Sequence, residues 1–164
     1  MIDIEIDKLT NSIEDAQTRE AISTIIKPFL SENFKSIDWE FDWLQEYNKP
    51  IKKVSQLNTF NNDIIQGLIS LEDKKDHVFM HLIENAKHNK GKKRQYLGVA
   101  GNLVAFACKC SFECGYDGFI SFISKTALKQ HYQETLGAKV LFGDTMVIET
   151  TEAMLLVEKY FKTI

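Results

Sequence analysis

The feature that most constrains this 164-residue chain is a strand, a glycine loop and a helix in direct succession over residues 76–114. Asp76-His77-Val78-Phe79-Met80-His81-Leu82-Ile83-Glu84 alternates like a half-buried strand. Gln95-Tyr96-Leu97-Gly98-Val99-Ala100-Gly101-Asn102 supplies two glycines, and Leu103-Val104-Ala105-Phe106-Ala107 opens a small-residue helix, expected over 101–114. Glycine lets a backbone approach a ligand closely, and the first N–H groups of a helix have no internal partners, so such a junction is suited to holding an anion. The same pattern also describes a turn that binds nothing.

The elements after this junction are regular. Ile64 to Leu71 and Val78 to Glu84, separated by Glu72-Asp73-Lys74-Lys75-Asp76, read as an antiparallel hairpin. A strand is expected over 118–123, a helix over 126–136 ended by Gly137, a hairpin of 138–142 with 145–149, and a last helix over 151–161. Ahead of the junction the signals are mixed. Ile2, Ile4 and Ile6 alternate with acids and predict a short strand, whereas residues 10–19 read as irregular. Ala21, Ile22, Ile25, Ile26 and Phe29 have helical spacing and predict a helix over 20–30. Ile37, Trp39, Phe41 and Trp43 alternate with Asp38, Glu40 and Asp42, which predicts a strand with an aromatic face, read as core ahead of a substrate platform. Another strand is expected over 51–57 and a turn over 58–63.

Composition removes several function classes. The net charge of −3 gives no global attraction for nucleic acid or anionic membrane. Cys108, Cys110 and Cys114 sit on one expected helix, which is neither a disulfide framework nor a two-pair zinc pattern, and no metal site is expected. The acidic start does not fit a signal peptide and no apolar run is long enough for a bilayer, so a cytoplasmic protein is the expectation. Lys87, Lys90, Lys92, Lys93 and Arg94 form a basic run before the glycine loop. That run is a solvated loop, a collector of cofactor phosphates, or a contact to nucleic-acid backbone.

The spacing Gln95-x-x-Gly98-x-Ala100 resembles the Arg/Gln-x-x-Gly-x-Gly/Ala loop with which the GNAT superfamily of acetyltransferases holds the coenzyme A pyrophosphate, and the order of elements from residue 64 onward is similar to that family's conserved half. The resemblance implies an α/β fold with a mixed, largely antiparallel central sheet flanked by helices. It implies a single domain over 1–164, in which 1–63 diverge, 64–149 correspond to the acetyl-CoA-binding core and 150–164 add a helix. Arg94, Gln95, Leu97, Gly98, Val99, Ala100, Gly101 and Asn102 would hold acetyl-CoA, although Asn102 also reads as an N-cap.

For chemistry the resemblance implies attack of an amine on the acetyl thioester, the amine belonging to a small molecule or a protein. Glu84 would serve as base, with an exposed structural carboxylate as the alternative. Tyr132 would protonate the leaving thiolate. Four residues separate Tyr132 from Gly137 where the family has three, and Ala138 replaces an aromatic, so His131 is the alternative. His81 is expected on the strand face opposite Glu84. A non-catalytic cofactor- or partner-binding domain is the second reading. A nucleic-acid module is disfavoured by the acidic remainder of the chain.

Overall fold

The computed structural model describes residues 1–7, 9 and 12–161. In chain order the strands are β1 (Ile13–Asp15), β2 (Ala21–Ile22), β3 (Thr24–Pro28), β4 (Lys52–Thr59), β5 (Ile65–Asp73), β6 (Val78–Asn85), β7 (Tyr96–Leu97), β8 (Ile120–Ile123), β9 (Lys139–Phe142) and β10 (Thr145–Ile148). The helices are α1 (Trp43–Tyr47), α2 (Val99–Glu113), α3 (Lys129–Leu136) and α4 (Thr150–Tyr160). Seven strands make one sheet in the order β3-β4-β5-β6-β8-β10-β9, antiparallel throughout except between β6 and β8. This is the mixed, largely antiparallel α/β sheet expected.

Strand β6 is the middle strand, and its neighbour β5 is apolar on both faces. Ile69 and Leu71 join one buried cluster with Leu57, Met80, Ile83, Ile120 and Phe122, and α2 covers that cluster with Val99, Leu103, Val104, Ala107 and Cys108. Helix α4 packs on α2 through Ala153, Leu156 and Tyr160. Leu68 and Ile65 point the other way, into a second cluster with Phe29, Trp43 and Val54, edged by Phe34, Trp39, Phe41 and Leu82. Burying aromatics and branched aliphatics on both sides of a sheet is the dominant stabilising term in such a domain.

The N-terminal third departs from expectation. The helix expected over 20–30 is instead β2 and β3. Ile22, Thr24, Ile25 and Ile26 are β-branched, and β4 offers a partner from Thr24↔Thr59 to Pro28↔Ser55, so sheet pairing outweighs helical spacing. Pro28 is tolerated because β3 is an edge strand. The strand expected over 37–43 is also absent. Two 3₁₀ turns (Ser31–Asn33 and Ser36–Asp38) lead into α1, whose N-cap Asp42 accepts from the Gln45 amide at 3.0 Å. Its aromatics are core as read, while Ile37 is 92% exposed. Within 10–19, Thr10 and Asn11 lie outside the described residues and β1 takes up part of the rest. The strand expected at 2–6 is reduced to one parallel bridge, Ile2↔Ser124. Cys108 is buried, Cys110 partly so and Cys114 exposed.

Two details position the site. A β-bulge where Ser70↔Leu82 gives way to Leu71↔Met80 makes His81 the extra residue of β6, which upsets the simple alternation that set it opposite Glu84. Strands β6 and β8 pair only at Val78↔Ile120 and Phe79↔Ser121. Beyond those two pairs they have no ladder between them, and a gap opens toward the C-terminal end of β6.

Candidate functional site

The glycine loop lies at the mouth of that gap. Gly98 adopts φ 86° and ψ 7°, a left-handed conformation that favours glycine, and caps α2, which starts at Val99 and thus two residues before the expected start. The loop before it is fixed by backbone and amide contacts. The Gln95 amide donates to the His88 carbonyl at 2.8 Å, the Ala16 amide donates to the Gln95 carbonyl at 2.9 Å, and the Tyr96 amide donates to Asn89 Oδ1 at 3.1 Å. Leu97 pairs with Glu14 in a small sheet of order β2-β1-β7. Asn89 is held in turn by Gln66, whose carbonyl and Oε1 accept from its Nδ2 at 3.1 and 3.0 Å.

An anion already stands at this helix N-terminus. The Gly98 amide donates to both carboxylate oxygens of Asp7 at 3.3 Å, and Arg94 Nη1 donates to Asp7 Oδ2 at 3.0 Å. A helix N-terminus carries about half a positive charge, which explains why a carboxylate settles there. Val99, Ala100, Gly101 and Asn102 are buried. Gly101 serves close packing and not ligand approach, since a Cβ there would meet the Tyr160 hydroxyl and, at 2.9 Å, Leu9 Cδ2. Asn102 is not the N-cap but an interior residue of α2. Its Nδ2 reaches Thr24 Oγ1 at 3.5 Å, and its Oδ1 is buried with no hydrogen-bond partner among the described residues.

The basic run is largely neutralised locally. Lys87 pairs with Asp38 at 3.2 Å, Lys90 with Glu84 at 3.1 Å and Glu40 at 3.7 Å, and Arg94 with Asp7, while Lys92 and Lys93 are exposed. Three of the five charges therefore face carboxylates of the same molecule, which argues against a free patch for nucleic-acid phosphates.

Glu84 is not the exposed strand-end carboxylate of the alternative reading, and as a base it would be closely engaged. It is 3% exposed, and its oxygens accept from the Glu40 amide (2.9 Å), the Phe41 amide (3.2 Å), Trp43 Nε1 (2.8 Å) and Lys90 Nζ (3.1 Å). Four donors anchor the aromatic segment onto β6 through this one side chain. His81 is a paired histidine, with Nε2 2.7 Å from Glu72 Oε1 and its ring centroid 4.5 Å from that of Phe79.

Tyr132 is fully buried, and its hydroxyl donates to the Ile4 carbonyl. Burial, with Asp3 and Glu5 adding to it, pushes the phenol well above its ordinary value. His131 Nε2 accepts from the Ile6 amide at 2.8 Å. Neither candidate proton donor is free, because residues 2–7 engage both. Between that segment and the end of β6 lies a cavity of about 300 Å³, lined by Asp3, Glu5, Glu40, Glu84, Asn85 and Lys90 among others. Asn85 is 7% exposed and its Oδ1 has no hydrogen-bond partner among the described residues. The structure thus brings Glu84, Arg94 and the glycine loop to one end of the gap, with Tyr132 and His131 behind residues 2–7. Sequence reasoning missed Asp7 and Asn85, and it read Lys90 as one charge of the basic run and not as the partner of Glu84. Asp7 left a signal in the alternation of isoleucine and acid, but that signal named no partner, and Asn85 left none.

No family model matches the sequence, and no curated protein matches it. Solved structures do resemble the fold. A GNAT family acetyltransferase from Elizabethkingia anophelis with acetyl-CoA bound superposes with a TM-score of 0.56 at 10% identity, covering 77% of this chain and 98% of that one. Mutant forms of the spermidine/spermine N-acetyltransferase SpeG from Vibrio cholerae give 0.55 at 17% identity, covering 81% and 97%. A bacterial toxin gives 0.59 at 9% identity, covering 87% and 99%. Likeness at these identities speaks to architecture, and it agrees with the mixed, largely antiparallel sheet flanked by helices. The chain therefore has a divergent GNAT-like fold.

Proposed function

We propose that this protein is an acetyl-CoA-dependent N-acetyltransferase that acts on an amine. The observation that carries the reading is the parting of β6 and β8 after two residue pairs, with the Gly98-capped start of α2 at the mouth of the gap. An extended thioester arm suits such a gap, and a diphosphate suits the helix N-terminus. The bound acetyl-CoA of the Elizabethkingia anophelis structure supports the donor. With residues 2–7 seated, however, the donor does not fit, because Asp7 holds the anion position and Tyr132 and His131 are bonded to this segment.

In this reading Arg94 and the loop residues Gln95, Leu97, Gly98, Val99, Ala100, Gly101 and Asn102 form the donor end. The amides of Gly98 to Gly101 are the proposed contacts and the buried side chains keep the loop in shape, whereas the Gln95 and Asn102 amides are already bonded to the His88 and Gly98 carbonyls. Tyr132, or His131 beside it, is the proposed proton source for the departing thiolate. Glu84 is proposed as a positioning residue, since its lone pairs are committed to four donors. With residues 2–7 displaced, Glu40 and Glu84 face Lys90 and Arg94 in the remaining lining, so its charge is balanced and it narrows the acceptor no further than an amine. Either a small polyamine or a protein amine meets that description.

The same commitments of Glu84 and Tyr132 favour a second reading, a GNAT-like domain that binds without turnover. Incubation with acetyl-CoA and a panel of amines, followed by mass spectrometry, separates the two. Acetylated product supports the enzyme. Stabilisation by acetyl-CoA without product supports the binding domain, and neither effect removes both.

A further inference from the structure

Residues 2–7 run through one continuous set of contacts. Ile2 adds to the end of β8 as a short parallel strand, its amide donating to the Ile123 carbonyl at 2.6 Å and its carbonyl accepting from the Lys125 amide at 2.9 Å. The Ile4 carbonyl takes the Tyr132 hydroxyl and the Ile6 amide donates to His131 Nε2. Asp7 ends the run on the Gly98 amide and Arg94. Ile2 and Ile6 are 2% and 4% exposed and belong to the core under α2, while Asp3 and Glu5 line the cavity. One face is thus built to stay in the gap between β6 and β8, and the other is polar.

We propose that residues 2–7 are an internal plug of the donor groove, with Asp7 standing where a diphosphate oxygen would bind, so that acyl-CoA and the plug exclude one another. This rests on the donor reading above. The recognition chemistry is shared: a helix N-terminal amide plus a guanidinium is what a phosphate oxygen seeks, and Asp7 offers a carboxylate to the same pair. The plug is also made to leave. Among the described residues, four backbone groups of residues 2–7 take part in the bonds above, against seven residue pairs between β5 and β6, and its ion pair from Asp3 to Lys125 is more than half exposed on both sides. Its departure frees the Gly98 amide, Arg94, the Tyr132 hydroxyl and His131 together, so one movement opens the groove and releases the proposed proton source. Donor affinity is then reduced by the fraction of molecules with the plug seated.

The test is isothermal calorimetry of coenzyme A with the full chain, with Asp7→Ala and with Ile6→Ala, each checked for a native circular dichroism spectrum. Ile6→Ala matters because it changes no charge, so tighter binding there does not come from removing repulsion of phosphate. A parallel measurement is hydrogen exchange at the Ile2, Ile6 and Lys125 amides of the unaltered protein with and without saturating coenzyme A. The proposal expects both variants to bind at least about tenfold tighter, and coenzyme A to accelerate exchange at these amides. Equal affinity in all three proteins with unchanged exchange overturns the plug and leaves the donor reading standing. If no folded protein of the set binds coenzyme A, the donor reading fails and the plug falls with it. Should Ile6→Ala lose its native spectrum, exchange in the unaltered protein decides: faster exchange supports the plug, and unchanged or slower exchange overturns it.

Discussion

Glu84→Gln separates an anchor from a base. The substitution keeps shape but leaves one acceptor oxygen where there were two. The amide will keep its oxygen toward Phe41 and Trp43, because Trp43 is fully buried while Lys90 is partly exposed and has Glu40 nearby at 3.7 Å. The Glu40 amide then faces an NH₂ group. A donor orphaned in this way costs about 1–3 kcal/mol, and the two retained bonds lose charge assistance worth roughly 1 kcal/mol each. Relief from burying a charge offsets part of this, so the expected loss is about 3 kcal/mol. Urea unfolding followed by tryptophan fluorescence measures it: with a slope of about 1.5–2 kcal/mol/M the midpoint should fall by roughly 1.5–2 M. A loss below about 0.5 kcal/mol would refute the anchoring argument. Unchanged stability with activity abolished would restore the role of base.

Other expectations follow from single contacts. Gly98→Ala should cost about 1–2 kcal/mol in chemical denaturation even without any ligand, because alanine at φ 86° is strained. Gly101→Ala should cost about 1–3 kcal/mol by overpacking, and Tyr160→Phe in the same chain should recover part of that, read as a coupling energy in a double-mutant cycle. Burial pushes the Cys108 thiol up to about 12 and the Cys110 thiol up to about 11. Iodoacetamide at pH 8 should therefore label exposed Cys114 first and leave Cys108, with a thiolate fraction of roughly 10⁻⁴, unmodified until unfolding, as peptide mass mapping will show. The hydrogen bond from His81 holds the Glu72 carboxyl below its usual value. Its contribution is present above the unfolded value near about 4.3 and is lost as pH falls through the lower folded value, so His81→Ala should raise the Glu72 midpoint in an NMR titration and flatten the acid limb of stability.

How far the sequence carried depended on where the partner of each segment lay. From Ile64 onward the signals are local: the charged turn of the β5–β6 hairpin, Gly98 and Gly137 at helix ends and the turn before β10 each fix their neighbours, and the bounds of these elements stand within three residues of expectation. Residues 20–30 failed because the helical spacing of Ala21, Ile22, Ile25 and Ile26 competes with an edge position beside β4 that lies thirty residues away. The aromatics 39, 41 and 43 were rightly placed in the core, yet their geometry comes from Glu84, a contact across 41 to 44 positions that no periodicity reports. The candidate site was legible as a loop and helix. Asp7 at its mouth was not, since a carboxylate 91 positions upstream leaves no mark on the glycine spacing.

The central claim is that the Gly98 end of α2 and the gap beside β6 receive a coenzyme A thioester. A titration of isotope-labelled protein with acetyl-CoA, read by amide NMR, tests it most directly. Saturable shifts are expected at the Gly98, Val99 and Ala100 amides and along Ile83 to Asn85, with the Ile6 amide losing its bond to His131. Shifts confined to other parts of the surface, or none up to millimolar acetyl-CoA, would contradict it.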